Sequence, residues 1–217
     1  MQLGRWMLAG GVVMVPLLGF SIVAIALIVE RLWFWMQNNR RQRPIVQRVL
    51  QLYQSKNAYQ AIGVLKNNLN LPIARIFLAA LQLEEPTTEE FRLALETEAQ
   101  AELPHLKRFN TVFDTIITVS PLLGLLGTVT GLITSFASLD LGNIGGTQTV
   151  EVTGGISEAL ISTAAGLVVA IMTLIFANTF RGMYQRQLAY IQEYGGQLEL
   201  IHRRQYERGG LPHATAQ

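Results

Sequence analysis

Three side chains in apolar surroundings carry the reactive chemistry of this chain. Glu158 is the single carboxylate in Gly154 to Asn178, GGISEALISTAAGLVVAIMTLIFAN, a run long enough for a bilayer-spanning helix of about 20 residues. A charge near the middle of a bilayer costs at least about 2.5–3.5 kcal/mol on insertion scales, so such a residue faces protein or water and is a candidate functional site. The competing reading is a structural hydrogen bond across a helix bundle near the interface, because Glu158 follows closely on the Leu139 to Val152 link. Thr163 is a hydroxyl in the same run, and Thr128 one in a second apolar run between Asp114 and Asp140. Each either bonds a carbonyl of its own helix one turn back or offers its oxygen to a passing group, and spacing leaves both open. With no cysteine, no phosphate-cradling loop, no metal-ligand spacing and no nucleophile beside a base, an enzyme is not expected, nor any cofactor or metal. His105, His202 and His213 are scattered and read as tail or loop residues.

The elements that hold these residues are membrane helices with small faces. At steps of four and three, Ala159, Thr163, Gly166, Ala170, Thr173 and Ala177 share one stripe. Pro121, Gly124, Thr128, Gly131, Ser135 and Ser138 form a second. Small faces are how membrane helices pack, since lipid supplies no hydrophobic drive between them. Pro121, Gly124, Gly127, Gly131 and Gly166 are accordingly read as packing and kink residues. Three helices of one protomer cannot easily bury two such faces and a carboxylate. The expectation is a ring of copies, with the second and third helices lining a lumen and the first outside.

Composition supports a membrane protein: of 217 residues, 50% are hydrophobic and 15% charged. Trp6 to Val29 is too long for a signal-peptide core and ends in Glu30-Arg31 and Trp33-Phe34-Trp35, an interfacial aromatic belt. Asn38 to Asn110 is polar, with short amphipathic helices at Ile45/Val49/Leu52, Ala61/Leu65/Leu69 and Ile73/Phe77/Leu81. After Pro86, Thr87 and Glu90 make a capping-box pattern. The helix starting there keeps its apolar periodicity straight into the second hydrophobic run, bent only at Pro104. Between Asp114 and Asp140 nothing is charged, about 37 Å of helix. The third span continues into polar sequence, loosening at Gly195-Gly196.

The expected organisation is all-α, with three transmembrane helices. Residues 1–37 form a periplasmic end and the first helix, and 38–110 a cytoplasmic helical segment. Residues 111–139 are the second helix, 140–152 a periplasmic turn and 153–180 the third helix, leaving 181–217 as a cytoplasmic helical tail with a disordered end. Lys and Arg concentrate in the middle segment and the tail, while the link holds none, so the N-terminus is placed outside and the C-terminus inside.

The run SPLLGLLGTVTGLITSF (Ser120 to Phe136) and the run GGISEALISTAAGL (Gly154 to Leu167), together with Glu30-Arg31-Leu32, resemble the MotA/TolQ/ExbB proton-channel family, most of all its ExbB branch. The resemblance implies a bacterial inner-membrane homo-oligomeric ring, expected to be a pentamer, around an ExbD-like partner. Protons would be the coupling ion, and motion would pass to a TonB-like protein that energises outer-membrane transport, with no nucleic acid involved. It also implies that Thr128 and Thr163 face the lumen near a partner carboxylate and that Glu158 belongs to the proton pathway. The alternatives are a TolQ-type subunit of the Tol-Pal envelope system and a non-conducting membrane scaffold.

Overall fold

The computed structural model describes residues 12–137 and 146–209, without the side chains of 146–152 and 158. Arg5, Ser138, the glycines at 142 and 145 and the tail from 210 onward, His213 included, lie outside the described residues. All regular structure described is helical. The elements are α1 (Met14–Gln54), α2 (Ala58–Lys66), α3 (Pro72–Leu81), α4 (Thr88–Leu106), α5 (Asn110–Ala137) and α6 (Gly146–Glu207). Three stretches, within Met14–Gln54, Thr88–Ala137 and Thr153–Glu207, are long and apolar enough to cross a membrane. The chain divides into an apolar unit, containing residues up to Arg31 with Phe109–Phe180, and a polar unit, Leu32–Arg108 with Arg181 onward.

Several helix limits differ from the sequence reading. The Ile45/Val49/Leu52 helix is not separate: α1 runs unbroken through Pro44. Proline there removes the bond to the Arg40 carbonyl, but Pro44 lies on the exposed side. The opposite stripe of Trp35, Asn38, Gln42, Val46, Val49 and Tyr53 is buried on both sides of it, and this burial holds the helix together. Asn38 Nδ2 donates to Gln187 Oε1 at 3.1 Å, and Gln187 Nε2 donates to Gln42 Oε1 at 2.9 Å, tying α1 to α6.

The helix expected to run from Thr88 into the second span is instead two helices. The capping box at Thr87 and Glu90 forms as expected, but α4 ends at Leu106 and Phe109 adopts φ +70°, in the left-handed region that stops a helix. Pro104 has already removed one bond from that last turn. At its other end α6 begins at Gly146, inside the stretch read as a turn, and it does not loosen at Gly195-Gly196. Buried Ile191 and Leu198 flank the two glycines, and the Tyr190 and Tyr194 rings pair at 4.4 Å.

Besides the Asn38, Gln187 and Gln42 amides, the core of the polar unit holds two clusters built on ionisable side chains. Glu102, 4% exposed, receives both Nε and Nη2 of Arg75, a bidentate pair joining α3 to α4. Arg75→Ala would leave that carboxylate buried and unpaired. A loss of about 2–3 kcal/mol is expected, less than for a fully buried pair because Arg75 is a third exposed; thermal unfolding of the detergent-solubilised protein measures it. The second feature overturns the reading of His202 as a tail residue. His202 lies within α6, fully buried, with its ring stacked 4.1 Å from Phe91 and its Nδ1 2.8 Å from the Tyr53 hydroxyl. Its Nε2 is 3.1 Å from the Pro86 carbonyl. That carbonyl can only accept, so Nε2 carries the proton and Nδ1 accepts from Tyr53. Histidine packs here because a neutral imidazole is a flat ring with one donor and one acceptor.

Burial lowers the His202 pKa below its ordinary 6.5, the Pro86 carbonyl opposing, and pushes the Tyr53 phenol up to about 12. Between the folded His202 value and 6.5 the unfolded chain binds more protons than the native one. The stability contributed is therefore complete above about pH 6.5 and is lost as pH falls through the folded value. The melting temperature is expected to drop between pH 7 and 5, and His202→Gln should flatten that slope.

Candidate functional site: the seam of α5 and α6

The two small stripes meet within the apolar unit, running antiparallel. Backbone approach is closest at Gly166, where a methyl group would lie 2.4 Å from the Ser120 carbonyl oxygen. One at Gly124 would lie 2.9 Å from Thr163 Cα, and one at Gly131 3.0 Å from Ala159 Cβ. Gly127 faces Ser162, and Gly155 faces Ser135. Backbones this near exclude any side chain between them, and that is why the sequence places glycine, alanine and serine here. Ala159, Ala170, Thr173 and Ala177 are buried along α6, as the stripe anticipates.

Hydroxyls stitch the seam. Thr163 Oγ1 donates across it to the Gly124 carbonyl at 2.8 Å. Ser162 Oγ donates to Ala159 O at 2.8 Å in its own helix, with Gly124 O at 3.3 Å. Thr128 behaves differently: half-buried, it donates to the Leu125 carbonyl of its own helix at 2.6 Å. Both threonine protons are thus engaged, while lone pairs on both oxygens remain able to accept.

Of the residues singled out in the sequence, Gly124, Gly127, Gly131, Thr163 and Gly166 come together at the seam. Pro121 and Thr128 sit one position round α5, both half-buried. Glu158 is in α6 directly before Ala159, and its side chain lies outside the described residues. Two residues escaped the sequence reading: Ser120 and Ser162, both fully buried. The Ser120 hydroxyl has no hydrogen-bond partner among the described residues. The pattern Ser120, Gly124, Gly127, Gly131, Ser135 was open to view at steps of four, three, four and four. It shares three members with the stripe that runs through Pro121 and Thr128, and periodicity alone does not choose between adjacent registers.

Outside the seam, the faces of these helices carry exposed large apolar side chains, among them Leu122, Leu125, Ile133, Leu160, Val168 and Ile171. In a soluble protein such area would be a liability; around membrane helices it meets lipid or further copies.

Comparison with known proteins agrees with this architecture. The model of the MotA/TolQ/ExbB proton channel family matches residues 68–193. The chain is 61% identical over 201 residues, 93% of its length and 95% of the relative's, to the putative biopolymer transport protein ExbB-like 3 of Synechocystis sp.. It is 41% identical to ExbB-like 1 of the same organism, over 90% of this chain and 77% of that one. The Tol-Pal system protein TolQ of Haemophilus influenzae is 27% identical over 93% of this chain and 91% of its own. That family is one of proton channels and transport proteins, not of enzymes. A chain with three helices able to span a membrane, a small-residue seam between two of them and these relatives is a multi-pass membrane protein of the MotA/TolQ/ExbB proton channel family, close to ExbB.

Proposed function

We propose that this chain is the ring-forming subunit of a proton-driven motor in a bacterial inner membrane, its N-terminus periplasmic and its C-terminus cytoplasmic. Copies assemble around an ExbD-like partner and energise outer-membrane transport through a TonB-like protein. The observation that carries this reading is the α5–α6 seam, where Thr163 and Thr128 have spent their protons on backbone carbonyls and keep oxygen lone pairs. Hydroxyls held that way accept from a protonated carboxylic acid and offer little to a carboxylate. A partner acid entering between copies would be favoured in its neutral form, release its proton on leaving, and move relative to the ring as it did so. Each proton crossing 100 mV supplies about 2.3 kcal/mol, enough to bias such a step. Glu158 is the chain's own candidate acid on this route. An apolar groove of about 550 Å³, lined by Met14, Leu160, Ile161, Ala164 and Val168 among others, gives a neighbouring copy or lipid somewhere to pack.

The likeness to TolQ over nearly the whole chain supports a second reading, a Tol-Pal subunit with a TolR-like partner. The test of the shared mechanism is proton flux into vesicles holding the chain together with a one-helix partner that bears an intramembrane aspartate. Flux should need both components and fall at least about tenfold in Glu158→Gln; flux and partner-dependent activity untouched by this change would favour a passive scaffold. The identity of the adjacent gene separates the two systems.

A further inference from the structure

The bases of α1 follow directly on the end of its apolar surface. Trp33, Met36, Arg40 and Pro44 succeed one another on the exposed side of the helix, with Arg41 and Arg43 flanking them, opposite the buried stripe of Trp35, Asn38, Gln42 and Val46. Trp33 is 74% exposed and Met36 57%. On a membrane helix such side chains lie at lipid level, with tryptophan at the headgroup boundary. Arg40 comes one turn, about 6 Å, after Met36, and Arg41 and Arg43 lie within about 11 Å of it along the axis. The headgroup layer is about 5–7 Å deep on each side of the hydrocarbon. Arg40 and Arg41 therefore stand in that layer, and Arg43 can reach back to it with its long side chain. Arg48, about 18 Å past Met36, stands beyond it.

No acid opposes these cations. Glu30 is the single acid of Met14–Gln54 and is paired with Arg31. Gln187 of α6 bonds both Asn38 and Gln42, so α6 passes the level of Arg40 at that residue. Between Glu158 and Glu193 it has no acid either, and its exposed Arg186 adds a further base at the same depth. Arg40, Arg41, Arg43 and Arg186 have no ion-pair partner among the described residues. Every base of α1 is arginine, whose planar fork matches the oxygens of a phosphate. We infer that Arg40, Arg41 and Arg43 bind the phosphate of an anionic phospholipid in the adjoining leaflet, with Trp33 and Met36 against the upper part of its acyl chains. A zwitterionic headgroup offers the same phosphate but brings its own cation among three arginines, so net negative charge is selected. The site needs only that α1 spans the membrane, and stands whether or not the ring, the partner and the orientation proposed above hold.

Native mass spectrometry of the detergent-extracted full-length protein, offered phosphatidylglycerol or phosphatidylcholine at equal concentration, counts the lipid bound per copy. Phosphatidylglycerol should be retained at least about tenfold better. That preference should fall at least about fivefold in the double variant Arg40→Gln/Arg41→Gln and weaken as salt is raised. Arg48→Gln should leave it unchanged. All three residues are exposed, so the melting temperature without added lipid should be the same in every variant. Equal retention of the two lipids, as would follow if the arginines served an acidic protein, overturns the site. So does an Arg48→Gln loss as large as that of the double variant, which would mean diffuse attraction by the whole basic segment. Displacement of the lipid by inorganic phosphate at equal concentration overturns it as well, since the arginines would then hold a free anion.

Discussion

Gly166→Ala should cause the largest loss of any single-methyl addition in this protein. The new carbon would lie 2.4 Å from the Ser120 carbonyl oxygen and 3.2 Å from Gly124 Cα, both backbone atoms, so no rotamer change relieves the overlap. The helices must separate, which lengthens the Thr163 to Gly124 hydrogen bond and opens the seam on either side. Overpacking of this kind costs about 1–3 kcal/mol and more when backbone opposes it. The expected result is a lower melting temperature in detergent and loss of partner-dependent activity. Gly127→Ala should also cost stability, because turning the Ser162 hydroxyl away relieves one overlap but leaves its Cβ, fixed by the α6 backbone, 2.7 Å from the new methyl. Gly195→Ala and Gly196→Ala meet nothing within 4 Å and replace glycine in a helix, so each should be neutral or stabilising by up to about 1 kcal/mol. A Gly166→Ala protein as stable and active as Gly195→Ala would contradict the close approach of α5 and α6.

Thr163→Val separates structure from mechanism. Valine has nearly the shape of threonine, and the Gly124 carbonyl it leaves can still accept within its own helix. Interhelical hydrogen bonds in membranes average about 0.6 kcal/mol, so assembly and melting temperature should change little. Activity should not survive so well: with the oxygen gone, a protonated partner acid has no acceptor there, and at least a tenfold fall in proton flux is expected. Thr163→Ser restores the oxygen and most of the flux. Thr128→Val should behave similarly, with an even smaller effect on stability, since its hydroxyl bonds only its own helix. Valine variants that conduct normally would remove the hydroxyls from the mechanism. Variants that fail to assemble would make Thr163 a structural clasp instead.

That this is an all-helical membrane protein is legible in the order of its residues. Uncharged runs of spanning length and small residues at helical spacing arise from one-dimensional constraints, namely the bilayer's thickness and the helix's 3.6-residue repeat. The same holds for the capping box at Thr87 and Glu90, where both partners lie within one turn. Gly124, Gly131 and Gly166 could be picked out because only very small residues fit where helices touch.

Features that depend on partners far along the chain emerge from the folded arrangement. It chose the register of α5 that buries Ser120 and Gly127 instead of the neighbouring one through Pro121 and Thr128. It carried α1 through Pro44, because burial of the opposite stripe outweighs one missing hydrogen bond. It broke the chain at Phe109. It also made His202 a core residue through Tyr53 and Pro86, which lie 149 and 116 residues away, and gave Glu102 a partner 27 residues distant in Arg75. Periodicity records that a face is covered. Which neighbour covers it, and whether a hydroxyl turns to its own helix or across the seam, is fixed by packing in three dimensions.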